Sequence, residues 1–199
     1  MMPWEHAMVG YIAFSILVRF GPRGPPTATE TVAVLFASLL PDLVDKPLAW
    51  QFNIFASGHA IGHSVFVALP LVAVVLAFAH RRGRFRTGVA FGVGYLFHLP
   101  ADVVPQSIRR GESLFDRLLW PLEQGGSGYD AGFSAELTEN LISYFGWMAE
   151  QIASGDPEPY LLVLFGLFGF GLILWVADGL PIAREAYTAL RNTAGKKQR

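Results

Sequence analysis

Charged side chains are missing from long stretches of this 199-residue chain and return only at their ends. Residues 65–79 and 88–97 hold none, and neither does the run from Tyr160 to Ala177. Five apolar segments can be drawn: about His6 to Val18, Thr29 to Val44, His63 to Ala79, Thr87 to Val104 and Tyr160 to Ala177. Crossing the roughly 30 Å of hydrocarbon in a bilayer takes about 17 to 25 apolar residues. The third and fourth segments suit a span, the fifth is the strongest, and the first two are short. Charged residues make up 16% of the chain against roughly 25% in ordinary soluble domains, and its mean hydropathy is +0.38. The expected fold class is therefore all-α, a polytopic transmembrane bundle of about five spans.

Basic residues collect on the cytoplasmic side of a membrane, whereas acidic residues contribute little to orientation. With the N-terminus outside, the inner segments carry eleven of the fifteen basic residues, among them the turn Arg81, Arg82, Arg84 and Arg86. Only Lys46, Arg109, Arg110 and Arg117 remain outside. The same alternation leaves thirteen of sixteen acidic residues on the outer side, the exceptions being Glu30, Asp178 and Glu185. The C-terminus is then cytoplasmic. Arg19 and Arg23 follow the first apolar run instead of preceding it, the reverse of a secretory signal, so that run is expected to be retained as a span. A net charge of -1 gives no reason to expect nucleic acid, and with no cysteine any metal must be held by nitrogen and oxygen.

The organisation that follows is a four-helix core in residues 1–104, an outer loop with an amphipathic helix in 105–159, and a last transmembrane helix with a basic tail in 160–199. In the middle part, Gly125 to Gly132 reads as a flexible loop. Ser134 to Met148 places Leu137, Leu141, Tyr144, Phe145 and Met148 on one helical face, and Trp120 and Trp147 suit an interfacial position. In the fifth segment Gly166, Gly169 and Gly171 allow close helix packing.

The ionisable residues at the ends of these segments are unusual in kind. His6 opens the first, Asp42 and Asp45 close the second, His59 and His63 open the third, and His98 and Asp102 close the fourth. Alternating spans bring all seven to the outer face. His98 and Asp102 are four residues apart, as are His59 and His63, and helical spacing of four projects side chains to one side. Such groups near hydrocarbon are costly unless they pair, meet water or bind a metal. The expected metal ligands are His6, Asp42, His59, His63, His98 and Asp102. Asp45 and Asp102 are the expected catalytic carboxylates. Imidazole and carboxylate suit several divalent metals, of which zinc, as one or two ions, is expected. A zinc ion with an open position lowers the pKa of water to about 7 and neutralises charge on an ester or phosphoryl oxygen. His80 stands at the opposite end and is expected only to meet the interface. Glu5, beside His6, reads as a solvated charge.

Four strings in order carry a resemblance: Trp4-Glu5-His6-Ala7-Met8-Val9-Gly10, Ser38-Leu39-Leu40-Pro41-Asp42-Leu43-Val44-Asp45, Gly62-His63-Ser64, and Tyr95-Leu96-Phe97-His98-Leu99-Pro100-Ala101-Asp102. Over about residues 3–104 the chain resembles the YdjM-like family of membrane-bound, metal-dependent hydrolases. The resemblance implicates His6, Asp42, Asp45, His63, His98 and Asp102, and implies hydrolysis without naming a substrate. The chain departs from the family pattern in having a glycine at Gly58, where a histidine is expected, with His59 one place later. It departs again in spacing Asp42 and Asp45 by three residues. The order is more remotely similar to zinc phospholipase C and P1-type nucleases, although a further histidine after the His98 and Asp102 pair is missing.

The leading expectation is an integral membrane hydrolase acting on a phosphoester or other ester, with membrane lipid as its partner. The alternative is a non-enzymatic membrane protein whose metal is structural. A transporter is disfavoured, because transporters place polar groups near the midplane, where residues 65–79 and 88–97 have no charge.

Overall fold

The computed structural model describes residues 1–21, 24–123 and 132–196, and among these there are seven α-helices and no strand. They are α1 (Pro3–Arg19), α2 (Ala28–Trp50), α3 (Val65–Arg81), α4 (Phe85–Arg110), α5 (Phe133–Ser154), α6 (Pro159–Ala177) and α7 (Pro181–Lys196), with a short 3-10 turn at Phe115–Leu118. Most of the Gly125 to Gly132 loop, and the basic residues Arg23, Lys197 and Arg199, lie outside the described residues. Two helices, α4 and α6, are long and apolar enough to cross a membrane, and α3 is a shorter apolar helix.

Helices α2 and α4 run about six residues past their expected ends, α2 through Pro41 and Pro47 and α4 through Pro100 and Pro105. Each proline removes one intrahelical bond, a loss that packing neighbours can offset in apolar surroundings. A reciprocal cap opens α2, where Glu30 N donates to Thr27 Oγ1 and Thr27 N to Glu30 Oε2. The tail, expected only as a basic extension, forms α7. It starts with Pro181 after two residues of positive φ, Gly179 and Leu180.

Helix α4 is central and packs on α1, α2 and α3, while α1 also meets α2 and α6. The tightest crossing joins Gly10, Ser38 and Gly94. A Cβ on Gly10 would lie 2.0 Å from Ser38 Oγ, and one on Gly94 would lie 2.3 Å from the Val34 carbonyl oxygen. Only glycine admits such an approach. Phe14, Val34 and Ala90 form one fully buried patch of the core, and Ala37, Ala68, Tyr95 and Leu99 belong to another. In α6, Gly171 sits against Met8 of α1, whereas Gly166 and Gly169 face open space and serve no packing.

The outward faces of α3 and α6 are apolar. Leu69, Val74 and Phe78 of α3, with Leu162, Val163 and Ile173 of α6, are all more than half exposed. An exposed apolar surface of this extent requires a partner or lipid. Helix α5 reaches Ser154, further than its expected end, and no residue of it is buried.

Candidate metal centre

The crossing at Gly10, Ser38 and Gly94 aligns the site. One helical turn from it toward the same end of the bundle, α1 carries His6, α2 carries Asp42 and α4 carries His98; Asp102 follows one turn beyond His98. These four side chains are buried, as are Asp45 and His63. The periodicity of each helix thus turns a single close contact into a cluster of donors.

His59 and His63 arrive differently. Helical spacing was expected for them, but residues 51–64 form an irregular turn ahead of α3. Asp45 holds that turn in place. Its Oδ2 accepts from the backbone of Ala60 at 2.6 Å and of His63 at 3.1 Å, while its Oδ1 accepts from Gly62 N at 2.8 Å. Tyr95 adds a hydrogen bond from its hydroxyl to the Gly62 carbonyl at 2.7 Å. A side chain on Gly62 would strike the Pro41 carbonyl oxygen at 2.7 Å, so the turn lies flush on α2.

Tautomers follow from the partners. His63 Nδ1 lies 2.7 Å from Asp45 Oδ2, and His98 Nδ1 lies 2.7 Å from the Ser38 carbonyl oxygen. Both partners only accept, so both Nδ1 atoms donate. Each ring therefore presents Nε2 to the centre, and the two Nε2 atoms are 3.0 Å apart. Asp102 Oδ2 lies 3.3 Å from His63 Nε2 and 3.7 Å from His98 Nε2, and Asp42 Oδ1 lies 3.6 Å and 3.9 Å from the same atoms. Asp42, His63, His98 and Asp102 each offer one ligand atom, all within 4.8 Å of one another, and could hold a metal ion.

The donor set fits a cation. With both rings neutral, as metal binding requires, two imidazole lone pairs and two carboxylates aimed at one point repel one another unless positive charge stands among them. Asp42 Oδ1 is buried without a hydrogen-bond partner, and a buried acceptor left so is costly. The Asp45–His63 and Ser38–His98 bonds reproduce the outer support that metal-binding histidines usually have.

His6 and His59 flank the four-residue group on Asp102. His6 Nε2 is 3.0 Å from Asp102 Oδ1, and His59 Nε2 is 3.3 Å from Oδ2. The His6 ring stacks on His98 with centroids 3.9 Å apart, and neither of its nitrogens makes a hydrogen bond. Burial lowers the pKa of His59, which keeps that ring neutral and its lone pair available. All six expected ligands thus gather in one place. Asp45 gathers with them but stands behind His63, both oxygens taken by donors. His80 is apart from the cluster, its ring edge-on to Phe85.

Sequence reasoning missed two neighbours. Glu5 is fully buried, not solvated, and accepts from Tyr144 Oη at 2.7 Å and Tyr160 Oη at 3.0 Å, joining α1 to α5 and α6. Burial and Glu5 push the Tyr144 phenol up to about 12, so it remains a donor. Lys46 pairs with Asp42 Oδ2 one turn away on α2. The i, i+4 spacing of Asp42 and Lys46 was a readable signal; nothing local announces two distant tyrosines.

Above the cluster opens a cavity of about 880 Å³ whose lining includes Asp42, His59 and Asp102. The ordered histidines and aspartates, the helices that deliver them and the apolar outer faces agree with what the comparisons find. No curated protein and no solved structure matches the chain. The family described as YdjM inner membrane protein matches residues 1–178, and the chain belongs to that family.

Proposed function

We propose that this protein is a metal-dependent hydrolase of the membrane, acting on an ester or phosphoester. In this reading α1, α2, α3, α4 and α6 are the five spans, the N-terminus is outside, and the cluster lies near the outer face. Helices α1 to α4 form the core that carries the site, α5 covers it, and α6 anchors it. The observation that carries the proposal is the pair of buried Nε2 atoms 3.0 Å apart, each ring held through Nδ1, with two carboxylates beside them.

Zinc is the proposed ion, held by Asp42, His63, His98 and Asp102; His6, with two unbonded nitrogens, is the donor open to a second ion. When bound, such a cation polarises the scissile ester and makes water a nucleophile near neutral pH. The chain's own residues do the rest. Asp102 takes the proton from the attacking water through Oδ1, which also accepts from the Met1 ammonium at 2.9 Å and lies 3.0 Å from His6 Nε2. Asp45 was the other expected base. Its four hydrogen bonds fit a positioning role, orienting His63 and the turn, better than proton transfer.

The proposal is tested on purified protein by elemental analysis and by cleavage of a chromogenic phosphodiester. Stoichiometric zinc is expected, lost in His63→Ala and Asp102→Ala together with cleavage; unchanged metal content in both variants overturns it. A second reading, a structural metal, is favoured by the count of four protein donors, the number that closes a tetrahedral site. Cobalt substitution separates the two. An absorption spectrum altered by added phosphate marks an open position, and an unaltered one marks a closed structural site.

A further inference from the structure

The cavity above the cluster has two kinds of wall. Leu39 and Leu43 of α2, Leu137 of α5, and the rings of Trp50, Trp147 and Tyr160 make most of it apolar. Lys46, Arg109 and Arg110 also stand in the lining, and among the described residues Glu136 is the one acid there besides Glu5 and the cluster carboxylates. At the floor Lys46 pairs with Asp42, and the Met1 ammonium lies 2.9 Å from Asp102 Oδ1. Arg109 lies over the Trp147 and Tyr160 rings, 5.5 and 5.2 Å from their centroids, and 3.1 Å from Glu158. Arg110 approaches Glu112 at only 4.0 Å. Both guanidinium pairs are about half exposed, and ion pairs in water exchange readily for another anion.

The apolar wall does not stop at the cavity. Leu43 lines it and is also 56% exposed, so this wall continues onto the outer surface of α2. Leu137 faces it from α5 while 38% exposed. A volume of about 880 Å³ is within the range of about 300 to 1,000 Å³ seen for small-molecule sites, far more than a free phosphate fills.

We propose that the cavity takes an amphiphile with a phosphate head and a hydrocarbon chain, the head between Arg109, Arg110 and the cluster, the chain leaving along Leu43 and Leu137. This rests on the hydrolase reading for the fate of the bound molecule, but not for its binding. Charge complementarity selects the head, and burial of the chain at about 25 cal/mol per Å² adds affinity that a soluble phosphoester lacks. Lateral continuity with the outer face of α2 lets such a molecule enter from the bilayer.

Native mass spectrometry of the full zinc-loaded chain in nonionic detergent tests this. It compares oleoyl lysophosphatidate with glycerol 3-phosphate, which has the head alone, and with mono-oleoylglycerol, which has the chain alone. One lysophosphatidate per chain is expected, bound about tenfold or more tighter than either fragment. Leu137→Glu, on a helix with no buried residue, is expected to weaken it about tenfold with zinc content unchanged. The Arg109→Ala, Arg110→Ala double variant is expected to weaken lysophosphatidate but not mono-oleoylglycerol. Equal binding of glycerol 3-phosphate, or indifference to both variants, overturns the proposal. Cleavage of short and long phosphoesters in the same samples keeps the two readings apart. Tight, variant-sensitive binding without cleavage of either ends the hydrolase reading and leaves this site standing. Cleavage of both with no preference for the amphiphile does the reverse.

Discussion

The two ends of the bundle bury carboxylates in opposite ways. At one end Asp178, 3% exposed, accepts from Tyr11 Oη and Ser15 Oγ, each at 2.7 Å, and pairs with Arg19. Glu30 there pairs with Arg86 at 3.0 Å while capping α2. At the other end Asp42, besides its pair with Lys46, and Asp102, besides the Met1 ammonium, face imidazoles, and Asp42 Oδ1 and both His6 nitrogens are left without hydrogen bonds. An arginine carries a permanent charge and no lone pair to give, so its pairs are complete in themselves. Imidazoles are neutral donors to a metal. Burial and charge alone do not mark a site; what separates the two ends is whether the partners still have lone pairs to offer.

Four experiments bear on that contrast. The largest difference is expected between Asp102→Ala and Asp178→Ala. The first abolishes stoichiometric metal; the second leaves metal untouched and lowers the thermal midpoint, by about 1 to 3 kcal/mol of stability because Arg19 is 40% exposed. Elemental analysis and a melting curve on each variant decide it. Equal metal in the two would erase the distinction between the ends.

Metal removal comes next. A chelator is expected to lower the melting temperature of the unmodified protein by an amount equivalent to about 4 kcal/mol when free metal exceeds its dissociation constant about 1,000-fold. The same chelator should leave Asp102→Ala unmoved. A shift of equal size in that variant would place the bound metal elsewhere.

Asp45→Asn keeps the shape behind His63 and removes the charge. Loss of such an outer partner typically costs about 10 to 100-fold in metal affinity, read by competition with a zinc-binding dye. An unchanged affinity would mean that Asp45 only holds the turn. The last experiment is at the crossing between the ends. Gly94→Ala pushes a methyl against the Val34 carbonyl and is expected to cost about 1 to 3 kcal/mol. Gly166→Ala meets open space and should leave the melting curve unchanged.

Much of this was legible before any coordinates. The charge-free runs pointed to helices, and the histidines and aspartates at their ends pointed to one cluster, because helix direction alternates along a bundle. What escaped the reading has a common cause. Glu5 read as solvated because its partners, Tyr144 and Tyr160, are well over a hundred residues away. That Asp45 bonds to His63 and to the backbone of the turn was not legible either, because a carboxylate near histidines is chemically ambiguous until its lone pairs are counted. The expected segments stopped at Val44 and Val104, short of Pro47 and Pro105, since sequence shows a proline's lost hydrogen bond and not the neighbours that compensate for it.

By itself the sequence determined the all-α class, the membrane character and the identity of the cluster residues, because hydropathy, periodicity and side-chain chemistry are properties of local stretches. Only the tertiary structure decided which way each imidazole is turned, that Asp45 supports His63, that Glu5 ties three helices together, and that a half-apolar, half-basic cavity opens over the cluster. Those depend on which atoms meet across the bundle, and contact between distant residues is set by packing, about which a local pattern carries no information.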